Sequence, residues 1–158
     1  MKYFTAGTQD FESERESTDP ASVEREPQLA ANVRILLVED EPAILLIFEK
    51  ILSLRGWHVV PVENANEAIE EWERGDFDLI FMDLQMPHLN GLEATRIIRR
   101  LEREKGREHI PIVAVTAWCR PEDRTFCMEA GMDDYLPKPI HSNELYAMVR
   151  KHLTNIAS

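Results

Sequence analysis

Four polar clusters follow short apolar runs in this chain, and together they carry the side chains needed to attack a phosphorus atom. Asp83 follows Leu79, Ile80, Phe81 and Met82, and the acidic trio Glu39, Asp40 and Glu41 follows Val33 to Val38. Thr116 closes the run from Ile110 to Val115, and Lys138 stands just after Asp134 to Leu136. Carboxylates held together raise one another's pKa unless something positive enters, so Glu39, Asp40 and Asp83 call for a divalent cation. An all-oxygen donor set suits magnesium better than zinc. A single Asp beside such an ion, one hydroxyl and one ammonium is equipped to act as a nucleophile, while the ion and Lys138 neutralise charge on the equatorial oxygens. Thr116 would hydrogen-bond the group once it had arrived.

These side chains meet only if the apolar runs are neighbouring strands that end on the same side. Leu79 to Met82 is too short for a helix and too continuous for a half-exposed strand, which predicts a strand buried on both faces. Pro87 and Asn90-Gly91 punctuate the loop that follows, and helical spacing runs from Leu92 to Arg103. Val33 to Val38 leads to Pro42, which is suited to the first position of a helix extending to Arg55. In that helix Ile44, Leu45, Ile47, Phe48, Ile51, Leu52 and Leu54 share an apolar arc, while Leu46 falls among the polar positions as a candidate docking residue.

A strand is predicted over Trp57 to Val62, and a helix over Asn66 to Arg74 with Ala68, Ile69 and Trp72 inward. The charged stretch Glu102 to Glu108 reads as a solvated helix end and loop. Pro121 to Ala130 is the next helix, ended by Gly131, and Ser142 is expected to cap a last one from Glu144 to Leu153 whose inner row is Leu145, Met148, Val149 and His152. Strand and helix thus alternate five times. Single strands joined by helical crossovers predict an α/β, flavodoxin-like (βα)5 fold: a doubly wound parallel sheet in strand order 2-1-3-4-5. In that order the first and third strands are neighbours, and their carboxyl ends bring Glu39, Asp40 and Asp83 together.

With 158 residues, one domain with a tail is expected. Residues 1–32 carry Asp10, Glu12, Glu14, Glu16, Asp19, Glu24 and Glu26 against Lys2, Arg15 and Arg25, and read as an acidic flexible tail or linker, with a short helix over Ala21 to Ala31 as the alternative. The domain itself would cover 33–156. A net charge of −11 argues against direct binding of nucleic acid. No apolar run approaches the roughly 20 residues a spanning helix needs, so no membrane insertion and a cytoplasmic location are expected. Cys119 and Cys127 form no CxxC pair and read as two reduced thiols.

The order of Glu39-Asp40, MDLQMPHLNG around Asp83, VTA at Val115 to Ala117 and AGMDDYLPKP from Ala130 to Pro139 resembles the receiver (REC) domains of two-component response regulators. The wording of AGMDDYLPKPI is most similar to receivers attached to hybrid sensor histidine kinases. The resemblance covers Val33 to about Leu153. It implies a phosphorelay protein rather than an enzyme, with Asp83 as phosphoacceptor from a phosphohistidine on a histidine kinase or histidine phosphotransfer protein. Glu39, Asp40, Asp83 and the backbone carbonyl of Gln85 would hold Mg2+, Glu39 standing where many receivers have Asp.

The resemblance further implies that Thr116 and Lys138 are the switch hydroxyl and phosphate-pairing lysine, that Tyr135 is a switch aromatic, and that the Lys138–Pro139 bond is cis. Without the resemblance Tyr135 would read as a half-buried strand aromatic. Output would pass to a downstream protein partner, since the residues from Leu153 to Ser158 leave no room for an effector, and a phosphorylation-dependent homodimer is a further expectation. Gln85 and Trp118, two residues after Asp83 and Thr116, would control the approach of water to the acyl phosphate.

Three rival readings stand beside this one. A dehalogenase-type phosphatase would need a second Asp at position 85, where Gln85 stands. A flavin binder would need a Gly-rich phosphate loop where Glu39 to Pro42 lies. A degenerate receiver that serves only as an interaction module is the third.

Overall fold

The computed structural model describes residues 32–118 and 120–154. The expectations for the tail and for Cys119 lie outside the described residues. The elements run β1 (Arg34–Val38), α1 (Pro42–Ser53), β2 (His58–Val62), α2 (Ala65–Arg74), β3 (Leu79–Asp83), α3 (Gly91–Lys105), β4 (Ile112–Thr116), α4 (Pro121–Ala130), β5 (Asp134–Pro137) and α5 (Ser142–Leu153). All strand pairings are parallel, and the sheet order is β2-β1-β3-β4-β5, as expected for this fold class.

Side chains alternate across a strand, so each β-run feeds two cores. Leu36, Val38, Ile80, Met82, Ile112 and Ala114 meet α2, α3 and α4 through Ala68, Trp72, Ile98 and Cys127. Ile35, Leu37, Leu79, Phe81, Val113 and Val115 meet α1 and α5 through Phe48, Leu52, Leu145 and Val149. β3 and β4 are buried along their whole length, which explains their continuous apolar sequences.

The α1 stripe is narrower than its sequence suggests. Leu45, Phe48 and Leu52 are buried, but Ile47 and Leu54 are 55% and 81% exposed, because a helix lying on a sheet covers only one row and its flanks. Leu46 is exposed at 51%, as its polar-face position predicts. The cap of α5 is His141, not Ser142; its N–H donates to Glu144 Oε2 at 2.7 Å. Among the described residues no helix is long and apolar enough to cross a membrane.

The stretch Glu102 to Glu108 is not merely solvated. Arg99 and Glu102 are buried, and the guanidinium spends its N–H groups on Glu102 Oε1 and Oε2, Asp133 Oδ2 and the carbonyls of Ile110 and Gly131, at 2.7 to 2.8 Å. Arg107 donates to the carbonyls of Trp72 and Gly75 and stacks on the Trp72 ring at 4.3 Å. Charge in sequence had pointed to solvent; here it ties α3 to the entrance of β4 and the α4–β5 turn.

Asp134 supplies a second buried tie. Burial alone would raise its pKa, but hydrogen bonds from Lys151, the Tyr135 N–H and His152 outweigh it and hold the carboxyl below the usual carboxylate range. A folded-state pKa below the unfolded one stabilises at pH values above about 4, and the contribution fades as pH falls through the lower folded value. Asp134→Asn should therefore lose about 1–3 kcal/mol at neutral pH, with the gap to wild type shrinking in acid. Urea denaturation at neutral pH and at about pH 3.5 checks this; an equal gap at both would contradict it.

Candidate functional site

The carboxyl ends of β1, β3, β4 and β5 lie side by side, and each delivers one of the polar residues expected from the sequence. Glu39 follows β1, its backbone N–H held by the Val62 carbonyl at 3.2 Å. Asp83 is the last residue of β3 and only 3% exposed. Thr116 ends β4, fully buried, and its carbonyl accepts the Lys138 N–H at 2.7 Å, which fixes the root of the lysine beside it. The Lys138–Pro139 peptide bond is cis.

Gly91 sets the position of Asp83. A Cβ there would lie 2.1 Å from the Asp83 carbonyl oxygen and 2.9 Å from Met82 Cγ, so only glycine lets α3 start directly against the end of β3. The helix is capped by Asn90, whose Oδ1 accepts the Glu93 N–H at 3.0 Å while Glu93 Oε2 accepts the Asn90 N–H at 3.1 Å. The sequence marked Asn90-Gly91 as a loop signal, but nothing in it revealed this close approach. His88, in the same loop, adopts φ 68°, a conformation unusual for a residue with a Cβ.

Glu39, Asp40 and Asp83 bring carboxylate oxygens within 4.8 Å of one another. Asp83 Oδ1 accepts the Gln85 N–H at 3.0 Å, and Glu39 Oε1 accepts the Glu41 N–H at 3.2 Å. Lys138 Nζ donates to Glu39 Oε2 at 2.6 Å and lies 3.4 Å from Asp83 Oδ2. The Thr116 hydroxyl accepts the Trp118 N–H at 3.0 Å. Tyr135 is half-buried against the core on the α2–α4 side of the sheet. Gln85 is exposed, and Trp118 is 36% exposed.

Burial pushes the Glu39 carboxyl above its usual range; Asp83 adds to the rise, and the hydrogen bond from Lys138 only partly offsets it. Burial would lower Lys138, but the hydrogen bond to Glu39 and the charges of Asp83 and Glu39 prevail and hold it above its ordinary value. The cleft thus holds more negative charge than one ammonium neutralises. Hard oxygen donors, an excess of negative charge and no nitrogen or sulfur ligand fit a hard divalent cation.

Beside the site, Ile44, Ile47, Phe48, Lys138, Pro139 and Ile140 line an apolar cavity of about 430 Å3 between α1 and the β5–α5 loop. Cys127 lies on the buried face of α4, its thiol pushed up to about 11 by burial and by the charge of Asp123, which disfavours the nucleophilic thiolate.

A family model for the response regulator receiver domain matches residues 35–150. The sensor protein GacS of Pseudomonas syringae pv. syringae is 41% identical over 118 residues, covering 75% of this chain and 13% of that protein. Hybrid signal transduction histidine kinase B of Dictyostelium discoideum is 41% identical over 129 residues, 76% of this chain and 7% of that protein. The chain therefore spans only a small part of these curated relatives.

Among solved structures, the receiver domain of the Saccharomyces cerevisiae response regulator Ssk1, crystallised with the histidine phosphotransfer protein Ypd1, aligns with TM-score 0.77 and 30% identity over 80% of this chain and 92% of that one. The receiver domain of the Pseudomonas aeruginosa PAO1 sensor histidine kinase PA1611, with magnesium coordinated in its active-site cleft, aligns with TM-score 0.70 and 37% identity over 78% of this chain and 98% of that one.

Proposed function

The chain belongs to the response regulator receiver domain family of two-component signalling, and from that premise we propose that Asp83 is its phosphoacceptor. The observation that carries the reading is the nearly buried Asp83 carboxylate, clustered with Glu39 and Asp40 and facing Lys138 at 3.4 Å. An Asp83 oxygen forms a bond to phosphorus as the P–N bond of a donor phosphohistidine breaks, and the imidazole nitrogen keeps the electron pair. Lys138 Nζ pairs with an equatorial oxygen of the group in flight. Glu39, Asp40, Asp83 and the Gln85 carbonyl would hold Mg2+, which would supply the remaining charge neutralisation.

Once phosphorylated, Asp83 carries additional negative charge and acceptor oxygens. The Thr116 hydroxyl gives up the Trp118 N–H it now accepts and donates to the phosphoryl group, and the β4–α4 loop follows. Tyr135 occupies the space that movement opens, so the surface around α4 and β5 shifts in population toward the form a downstream partner reads. The proposed unit runs over 33–156, with 1–32 as an acidic linker.

The donor is proposed to be a histidine kinase or histidine phosphotransfer protein that docks over α1. Exposed Ile47 lines the 430 Å3 apolar cavity, which reaches Lys138 itself, and exposed Leu46 is its neighbour on α1. Continuity between that apolar face and the site, and the Ypd1 complex of the Ssk1 relative, support this. Leu46→Asp should slow transfer from the cognate donor while leaving uptake from a small phosphodonor unchanged. Equal rates of donor transfer in mutant and wild type would remove α1 from the docking surface.

Trp118 is proposed to shield the acyl phosphate from water, so Trp118→Ala should lose phosphate severalfold faster after loading with a small phosphodonor. An unchanged or slower rate contradicts shielding. The whole reading is tested by adding magnesium and beryllofluoride and following amide NMR shifts. Shifts centred on Asp83, Thr116 and Lys138 that extend to α4 are expected, and a spectrum that does not change would leave only an interaction module.

A further inference from the structure

α3 carries a row of guanidinium groups that the fold leaves unanswered. Arg96, Arg100 and Arg103 are exposed, and with about 3.6 residues per turn they fall within about 60° of arc on the helix. Their neighbours are paired: Arg99 with Glu102 and Asp133, Lys105 with Glu73, and Arg107 with Asp76. Within the row Arg100 meets Glu104 only at 3.7 Å, and Arg96 and Arg103 form no ion pair among the described residues. Glu93, just before Arg96, uses its carboxylate to accept the Asn90 N–H. In a chain of net charge −11 such a row of cations is the exception.

The sequence contains its complement. Asp10, Glu12, Glu14 and Glu16 stand at every second position, and Phe11, Ser13 and Arg15 fill the places between. In an extended segment alternate side chains share one side, so the carboxylates form one row and Arg15 falls in the other. Three successive carboxylates of such a row span about 13 Å. Arg96 to Arg103 covers about 10 Å of helix axis, a difference that the length of an arginine side chain takes up.

We propose that the segment Asp10 to Glu16 of this chain docks along α3, with its carboxylate row on Arg96, Arg100 and Arg103. The path to that face is short. The Arg34 guanidinium, at the start of β1, lies beside Gly75, where an added Cβ would meet Arg34 Nη1 at 3.5 Å. The Gly75 carbonyl accepts Arg107 Nη2 at 2.8 Å, so the start of β1 adjoins the carboxyl end of α3. Glu16 precedes Val33 by 17 residues, a length of chain that reaches up to about 55 Å, against about 22 Å for the whole helix.

Exposed ion pairs are individually weak and screened by salt. Tethering offsets this, because a short connection holds the segment near α3 at a millimolar effective concentration. Docked, the segment occupies the face that an acidic partner of α3 would need. It leaves the α1 face and the Asp83 cleft open, since α3 and α1 pack on opposite sides of the sheet. The contact is therefore independent of the phosphoacceptor reading, and it gives the linker proposed for 1–32 a defined path.

Arginine Nε–H exchange, followed by NMR in the full 15N-labelled chain, tests the contact. The three signals are assigned by their loss in Arg96→Gln, Arg100→Gln and Arg103→Gln, and Arg74, held on α2 by Glu70 and Glu71, is the internal reference. At low salt, neutralising the row with Asp10→Asn, Glu12→Gln, Glu14→Gln and Glu16→Gln should speed exchange at the three α3 guanidiniums at least about twofold and leave Arg74 unchanged. Wild-type α3 guanidiniums in 1 M NaCl, where the screening length falls to about 3 Å, should match that variant. In the triple arginine variant the amide signals of residues 10–16 should move, at low salt, to their high-salt positions.

Equal exchange at the α3 arginines of wild type and the neutralised variant overturns the docking. So does an equal acceleration at Arg74, which would mark a general effect of charge. Protection in wild type that rises with protein concentration assigns the segment to a second copy and overturns docking within one chain.

Discussion

Lys138→Met should take up a phosphoryl group from a small phosphodonor about 10²–10³-fold more slowly than wild type, the usual loss when one preorganised donor to a charge-developing oxygen is removed. Lys138 Nζ is the cationic group bonded within the cleft that Glu39 and Asp83 form, and its side chain is only 19% exposed, so water replaces it poorly. Removing it also leaves the acceptor carboxylate facing incoming oxygens with less opposing charge. Lys138→Arg should not restore the rate, because a planar guanidinium rooted at the Thr116 carbonyl cannot place a point charge where Nζ lies. Stopped-flow labelling with saturating Mg2+ measures this. A mutant within about threefold of wild type would mean that Lys138 does not act on the transferring group.

Arg99→Met should lower stability by about 3–5 kcal/mol, because it strands Glu102 and Asp133 without the guanidinium that neutralises them. Glu102, buried, also accepts the Ile110 N–H at 2.9 Å, and the partly exposed Asp133 accepts the Ile112 N–H at 2.8 Å and bonds His109 Nε2 at 2.6 Å, so the cost falls mainly on Glu102. The carbonyl of Gly131 loses its donor as well, and with it the anchor of the α4 terminus. Urea denaturation followed by circular dichroism gives the value. A loss below about 1 kcal/mol would show that the network is dispensable.

These two residues mark the boundary of what sequence could tell. The strands, their order and the residues at their ends were legible because buried parallel strands are written as unbroken apolar runs, such as Leu79 to Met82 and Ile112 to Val115, and because helical crossovers leave few arrangements. Asp83, Glu39, Asp40, Thr116 and Lys138 were each visible as polar residues closing such runs. That Lys138 bridges Glu39 and Asp83, at 2.6 and 3.4 Å, is a matter of side-chain reach, and no spacing encodes it.

Arg99 was hidden for a different reason. Its partners Glu102, Ile110, Gly131 and Asp133 come from three segments, and a run rich in charge reads as solvent-facing unless the ion pairs are known. Gly91 looked like loop punctuation, although its missing Cβ is what lets α3 abut Asp83. On α1 the wheel identified Leu45, Phe48 and Leu52 correctly but overcounted the arc, since Ile47 and Leu54 face outward on a helix that covers a flat sheet. Of those outward residues, Ile47 belongs to the proposed docking surface.

The most direct measurement is to incubate wild type and Asp83→Asn with a phosphodonor and Mg2+, then locate any label by peptide mass spectrometry after trapping the acyl phosphate with borohydride. Label on wild type at position 83, absent from the Asn variant and absent when the cation is chelated, is the predicted result. Label of equal amount on Asp83→Asn, or none on wild type with a competent donor and the cation present, would contradict phosphoryl transfer to this aspartate.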